Sequence, residues 1–342
     1  MTAHSGSRTL NSSFSFYVEV GNQPRPIKLR QIDQASRFGD ALTLAGPHGP
    51  SLSHRLRDQG LTAPLLFDGL GYRGEDLDTE RWVAAQRANG ADRVLLAGTY
   101  LPWTEGTPSD IAPIIHEQLR VASDLDATAL FGLDVRWLAK KPEVLRALLI
   151  ETAQPTALVL AHRADPLEMV GVAPNLRALV AAVPHMSILR CDHGGLVAAA
   201  CGDGHASIGL TTATRHLVGF GMSSKKSPDP SPRVFVRSLL DWFKGSQLAS
   251  WDAAKVPIRC QLPCCCGGSL GALYFDEDSK AAAAWHNMNA VADFADYIIG
   301  ADPDDRASVF RQACDDAASR YGLAGIHGPT EAKRQLRHWV FS

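Results

Sequence analysis

The sequence predicts a (β/α)8 barrel followed by a metal-binding appendage. Three observations predict it: eight short apolar runs recur from Phe14 onward, amphipathic stretches separate them, and four cysteines crowd into a seven-residue window beyond the last run. The competing architecture, an open doubly wound sheet, lacks its nucleotide fingerprint, since no G-x-G-x-x-G follows an early run.

The first run, residues 14–20, mixes aromatic and β-branched side chains, which suit a pleated, half-buried surface. Runs at 41–44, 64–68, 93–98, 127–133, 156–161, 186–191 and 206–210 follow, mostly apolar as strands buried on both faces are. Between them, 79–89, 111–123, 142–152 and 175–183 place apolar residues three and four apart, the spacing of one helix face. Eight such units close a barrel. Residues 223–233, rich in Pro, Ser and charge, read as an exposed loop. The cysteines come next, then a helix over 281–299, an acidic turn at 302–305, a helix over 306–321 and a basic amphipathic segment at 330–340. The expected division is a barrel over 14–255, with a zinc-binding knuckle and C-terminal helices over 256–342.

At 342 residues the chain is long enough to bury a large core, and 45% hydrophobic with 20% charged residues is ordinary for a globular protein. No apolar run approaches the ~18 residues of a membrane span, so no membrane partner is expected. The first 13 residues are polar and lack a signal-peptide pattern, which makes a reducing cytoplasm the expected compartment. A net charge of −2 excludes a protein coated in basic surface, though not a local basic patch.

In a reducing compartment cysteines are read as thiolates. Close-packed thiolates repel one another and oxidise, so Cys260-Gln-Leu-Pro-Cys264-Cys265-Cys266 calls for a soft cation. Zinc takes four ligands, and three of these cysteines with His286, 26 residues after Cys260, would make a closed and therefore structural Cys3His site. Which three of Cys260, Cys264, Cys265 and Cys266 take part stays open, and a cluster of free or disulfide-bonded thiols is the plainer alternative. His286-Asn287 is expected near the start of its helix. Cys191 and Cys201 read as small buried hydrophobes.

Barrel chemistry sits at the C-terminal ends of strands. Asp68 ends the third run, Asp134 the fifth, His162-Arg163 follows the sixth, Asp192-His193 the seventh and Arg215-His216 the eighth. Carboxylates supply nucleophiles or general bases, so Asp68, Asp192 and Asp134 are candidate catalytic groups, with His162 as acid/base. Arg215 and His216 beside a Thr-rich turn suit a phosphate; Tyr72, Arg73, Arg136 and Arg163 are further candidate substrate contacts. Tyr72 and Trp137 would stack on a base, or else simply pack. Plainer roles exist for others too: Asp68 capping a loop, His162 hydrogen-bonded in the core, Arg215 as a solvated charge. Direct pairing of Asp192 with His193 is disfavoured, because neighbours in extended chain point apart.

Together these motifs resemble the tRNA-guanine transglycosylase family over residues 64–299. Asp68-Gly-Leu-Gly-Tyr72-Arg73 is similar to that family's D-S-G-G-F-Q, Gly90-Ala-Asp-Arg-Val-Leu-Leu-Ala to G-A-D-I-V-M-A, and Leu130-Phe-Gly-Leu-Asp134 to L-F-G-I-V-Q. Residues 202–215 resemble G-V-D-M-F-D-C-V-x-P-T-R, and the cysteines with His286-Asn287 resemble C-x-C-x-x-C followed by H-N-L. The resemblance implies a (β/α)8 barrel with a zinc subdomain, a homodimer or heterodimer, and exchange of a 7-deazaguanine-type base on tRNA, DNA or a nucleoside, Asp68 contacting the base and serving proton transfer. Aligning Thr214-Arg215 with T-R puts Gly209 at the family's nucleophilic aspartate. Gly98-Thr99 and Ala161-His162-Arg163 replace the family's D-E and G-G-L, and the knuckle reads C-x3-C-C-C. Two functions follow. Either Asp68 or Asp192 supplies the nucleophile, with Asp134 or His162 as acid/base and Arg215 holding phosphate, or the chain is a non-catalytic relative, like the accessory subunit of the eukaryotic enzyme.

Overall fold

The computed structural model describes residues 13–21, 26–103, 108–150, 154–219, 228–256, 258–262, 269–273, 277–323 and 332–340; Cys264, Cys265 and Cys266 lie outside them. Strand and helix alternate from the start: β1 Phe14–Glu19, α1 Pro26–Phe38, β2 Ala41–Ala45, α2 Gly49–Asp58, β3 Leu65–Asp68, α3 Thr79–Ala88, β4 Thr99–Leu101 and α4 Ala112–Asp124. They continue with β5 Ala129–Asp134, α5 Arg136–Lys140, α6 Pro142–Ile150, β6 Thr156–Ala161, α7 Val172–Ala182, β7 Ser187–Cys191, α8 Val197–Cys201 and β8 Ala206–Gly209. The eight strands are parallel neighbours in the order β3-β2-β1-β8-β7-β6-β5-β4. A parallel bridge from Leu66 to Arg93 brings the two ends of that row together, giving a (β/α)8 barrel-like fold.

Alternation along each strand sorts the apolar residues into two clusters. Tyr17, Leu130, Ala157, Val159 and Leu189 fill the ring, whereas Phe16, Val18, Phe131, Leu158 and Leu160 belong to the cluster shared with the helices. Polar side chains close the N-terminal end of the ring. Thr43 bonds both Ser15 and Ser207 at 2.8 Å, and His205 Nε2 lies 2.8 Å from Ser15 Oγ. All four are buried, and the mutual bonding offsets what burial of a lone hydroxyl would cost.

The fourth strand departs from expectation. The predicted run 93–98 forms only the isolated bridges Leu66–Arg93 and Leu95–Thr128, and the strand proper begins at Thr99. Gly98 at φ +95 breaks the ladder, and the Gln86 amide takes up the Leu95 backbone instead, at 2.6 and 3.0 Å.

After the barrel come an antiparallel hairpin, β9 Arg233–Val236 with β10 Asp241–Lys244, and four helices: α9 Gly245–Ala253, α10 Glu277–Ile299, α11 Arg306–Leu323 and α12 Arg334–Val340. Helix α10 lies against β9 and α1, α11 against α8, and α12 against α7 and α11. The hairpin and helices α1 and α2 are absent from the sequence reading, and part of the 223–233 loop lies outside the described residues. Helix α10 also begins before residue 281, its Glu277-Asp278 start and alanine run favouring helix, so His286 falls in its third turn. Among the described residues no helix is long and apolar enough to cross a membrane.

Candidate functional site

Asp68 lies at the C-terminal end of β3, fully buried. Its carboxylate accepts bonds from Tyr17 Oη at 2.7 Å, Tyr72 Oη at 2.6 Å and the Leu70 amide at 2.9 Å. Burial raises its pKa, against the opposing pull of these donors and of Arg190. Arg190 reaches the same place from a bulge in β7, where pairing jumps from Ile188–Ala206 to Cys191–Ile208 and Arg190 takes φ 49. Burial works against its charge, but Tyr17, Tyr72, Glu19 and Asp68 around it outweigh that and keep it protonated. Glu19 in turn holds Arg73 at 2.8 Å.

Among the described residues, Tyr72 packs over Asp68. The Tyr72 side chain rests on Gly98 and Gly132, where an added Cβ would come within 2.9 Å of its ring and 2.7 Å of its own Cβ, so these glycines admit that side chain. Leu70 at φ 62 and Gly74 at φ 90 bend the turn that inserts it. Between β6, β7 and α7 lies a cavity of about 10 Å³ whose wall is mostly apolar, with Leu160, Leu167, Leu176 and Ile188 alongside Asp165, Arg190, Asp192 and Arg215.

The other predicted residues do not converge on Asp68. Asp134 is bound by its own neighbour Arg136, at 2.9 and 2.7 Å through the guanidinium and 3.0 Å through the amide. Trp137 is buried and donates to the Pro102 carbonyl at 2.9 Å, so it packs. His162 turns outward, with Nδ1 at 3.3 Å from the Ala164 backbone rather than in the core, and Arg163 is exposed. His216 is half-buried, its pKa lowered by burial, and its carbonyl accepts from Arg190 at 3.3 Å.

Asp192 belongs to a second cluster. Lys333, just before α12, places Nζ at 2.9 Å from Asp241, 3.0 Å from Asp165 and 3.9 Å from Asp192. Gln335 adds a bond to Asp165 at 3.0 Å, and Tyr321 one to Asp241 at 3.1 Å. Arg215 is buried here, its guanidinium 3.1 Å from the Trp242 ring centroid; burial pushes its pKa down to about 9 against the pull of Asp192. It is a buried charge rather than a solvated one. Nothing local in the sequence announces Lys333, which meets Asp165 across 168 residues.

His193 Nδ1 stands 3.9 Å from Asp192, too far for a hydrogen bond. Burial, with Lys333 nearby, pushes its pKa down from 6.5 to about 3, so it is neutral at pH 7. The unfolded chain therefore takes up this proton first, and stability should fall as pH drops from about 6.5 towards 3. Denaturant midpoints at pH 7 and pH 4 should differ less in His193→Gln than in the parent; an unchanged difference would refute the assignment.

At Gly209 the structure leaves no room for a side chain. An added Cβ would stand 2.1 Å from the Thr214 carbonyl oxygen and 2.7 Å from the Arg215 nitrogen.

Near the other end of the sequence, Cys260 Sγ lies 3.7 Å from His286 Nδ1, and His286 Nε2 sits 2.8 Å from the Phe235 carbonyl. Asn287 clamps the same strand, accepting from Phe235 N at 2.7 Å and donating to the Arg233 carbonyl at 2.8 Å. A proton on Nε2 directs the Nδ1 lone pair at Cys260, the arrangement that orients a metal-ligating histidine. Two ligands of one tetrahedral zinc, at about 2.3 Å for sulfur and about 2.1 Å for nitrogen, stand roughly 3.6 Å apart, so this pair fits. Among the described residues no group of three or more candidate ligands assembles.

No protein-family model matches the sequence, and no curated protein matches it. Among solved structures the chain is similar to the YdjI aldolase from Escherichia coli K12, with 12% identity over 83% of this chain and 88% of that one, and a TM-score of 0.37.

Proposed function

We propose that this chain is a zinc-stabilised barrel of the tRNA-guanine transglycosylase type that retains the scaffold without the displacement chemistry, and that it acts as a non-catalytic accessory or nucleic-acid-binding subunit. Gly209 carries the reading: the position aligned with the nucleophilic aspartate is walled by the Thr214–Arg215 backbone. Displacement at a ribose carbon needs a carboxylate within bonding reach of substrate. The other candidates are engaged, Asp68 by two tyrosines, Asp134 by Arg136 and Asp192 by the Lys333 cluster. Cys260 and His286 would hold the zinc together with two of Cys264, Cys265 and Cys266. Closed in this way, the metal supplies folding energy and no reactive position. Such a subunit would pair with a second copy or a catalytic partner and meet tRNA or DNA in the cytoplasm.

The competing reading is N-glycosyl transfer of a 7-deazaguanine-type base, with Asp68 as nucleophile or proton carrier. It is favoured by the buried, raised carboxyl of Asp68 beside two residues in left-handed conformation, Leu70 and Arg190, since strain and perturbed pKa values gather at active sites. Incubation with radiolabelled guanine and tRNA, DNA or nucleosides separates the two. The chain alone should transfer no label while carrying one zinc per chain. Label transfer that Asp68→Asn abolishes would establish the enzyme instead. Absence of zinc, with a Tm indifferent to chelators, would remove the metal from the proposal.

A further inference from the structure

We infer that a pocket beside Cys260 and His286 binds a phosphate ester through Arg237, Arg259 and Arg320. The pocket measures about 330 Å³, within the size range of small-ligand sites, and Cys260 and His286 form part of its wall. Three guanidinium groups line it against one carboxylate, Asp293, and Arg237 already holds that carboxylate at 3.1 Å. Arg259 and Arg320 are exposed and have no ion-pair partner among the described residues. The result is a net positive concavity on a chain whose overall charge is −2, so the field there is local.

Planar guanidinium forks match phosphate oxygens two at a time, which makes clustered arginines a better fit to phosphate than to a lone carboxylate or a neutral ligand. Arg237 is preorganised. Its guanidinium carbon lies 4.5 Å from the Phe294 ring centroid and 5.4 Å from that of Tyr297, so the side chain is braced before any ligand arrives. Tyr297 is 51% exposed, a large aromatic left at the surface next to the arginine. An exposed ring beside a phosphate site offers a face on which a base can stack, the pairing by which single strands and nucleotides are held without reading sequence. The pocket stands whether or not the barrel exchanges a base.

The test uses the full-length chain and its Arg259→Gln/Arg320→Gln variant, both changes falling on exposed side chains. Three probes are titrated over a range of salt: a fluorescein-labelled single-stranded oligoribonucleotide, a nucleoside monophosphate and inorganic phosphate. Removing two phosphate contacts should weaken oligonucleotide binding by tenfold or more and reduce its salt slope by about 1.4. Tyr297→Ala should weaken the oligonucleotide and the nucleoside monophosphate but leave inorganic phosphate unchanged. Loss confined to the oligonucleotide assigns the pocket to a strand, and equal loss of the monophosphate assigns it to a free phosphate ester; both support the inference. Affinities and salt slopes that match between parent and variant for all three probes would overturn it, as would failure of the parent to bind any of them.

Discussion

Lys333→Met is expected to lower the unfolding free energy by about 3 kcal/mol, read from urea midpoints at pH 7. Methionine keeps most of the apolar stem and removes the ammonium with its hydrogen bonds, so the loss reports on Asp165, Asp192 and Asp241 left without their shared cation. Breaking a buried pair from one side costs about 3–5 kcal/mol because the remaining charge stays desolvated. The low end applies, since the lysine side chain keeps 22% exposure and Asp165 keeps 20%. Pairing the change with Asp241→Asn should restore part of the loss, because one uncompensated charge goes with it. A single-variant loss below about 0.5 kcal/mol would mean that the cluster behaves as an ordinary surface ion pair.

Gly209→Asp, which introduces the residue type that the transglycosylase family uses as nucleophile, should destabilise the chain by about 3 kcal/mol and yield no base exchange. The obstacle is backbone: the first carbon of any side chain meets the Thr214 carbonyl oxygen at 2.1 Å and the Thr214 carbonyl carbon at 2.3 Å. A flexible neighbour would turn aside, whereas this turn is pinned by Thr214 Oγ1, which contacts the Thr211 carbonyl at 2.9 Å and the Thr211 amide at 3.0 Å. Gly209→Ala should already show most of the loss. Gly322→Ala, where an added Cβ meets nothing within 4 Å, should stay within about 0.5 kcal/mol and serves as the control. A folded Gly209→Asp variant that transfers label would refute both the packing argument and the non-catalytic reading.

Much of the barrel was legible because buried parallel strands write themselves as apolar runs. Residues 156–161 coincide with β6, and seven of the eight expected strands appear within two residues at each end. The fourth failed for a local reason, Gly98, whose effect on the ladder depends on a partner strand that the run itself does not reveal. Helices α1 and α2 escaped because Gln31, Asp33 and Gln34 dilute the apolar stripe of the first and Gly49-Pro50 opens the second. At the site, Asp68 and Tyr72 could be singled out from the strand end, and the structure joins them. Tyr17, Lys333 and Asp241 could not, since their roles come from contacts across 51, 168 and 80 residues. Cys260 and His286, singled out by residue type as candidate metal ligands, stand 3.7 Å apart, while Cys264, Cys265 and Cys266 lie outside the described residues.

The way the ring closes has a consequence for how it is made. β1 lies between β2 and β8, and Ser15 bonds His205 across 190 residues. During synthesis, at roughly 5–20 residues per second, the apolar segment Phe14–Glu19 therefore waits about 10–40 s for its second neighbour. Through that interval one edge of β1 presents unpaired backbone groups and alternating aromatic side chains to whatever is nearby. Contacts of such long range also slow folding itself, because chain entropy is lost before the contact repays it. β1, made well before β8, is thus fully sheltered only after the rest of the ring exists, and it is a segment through which a nascent chain would readily associate with another.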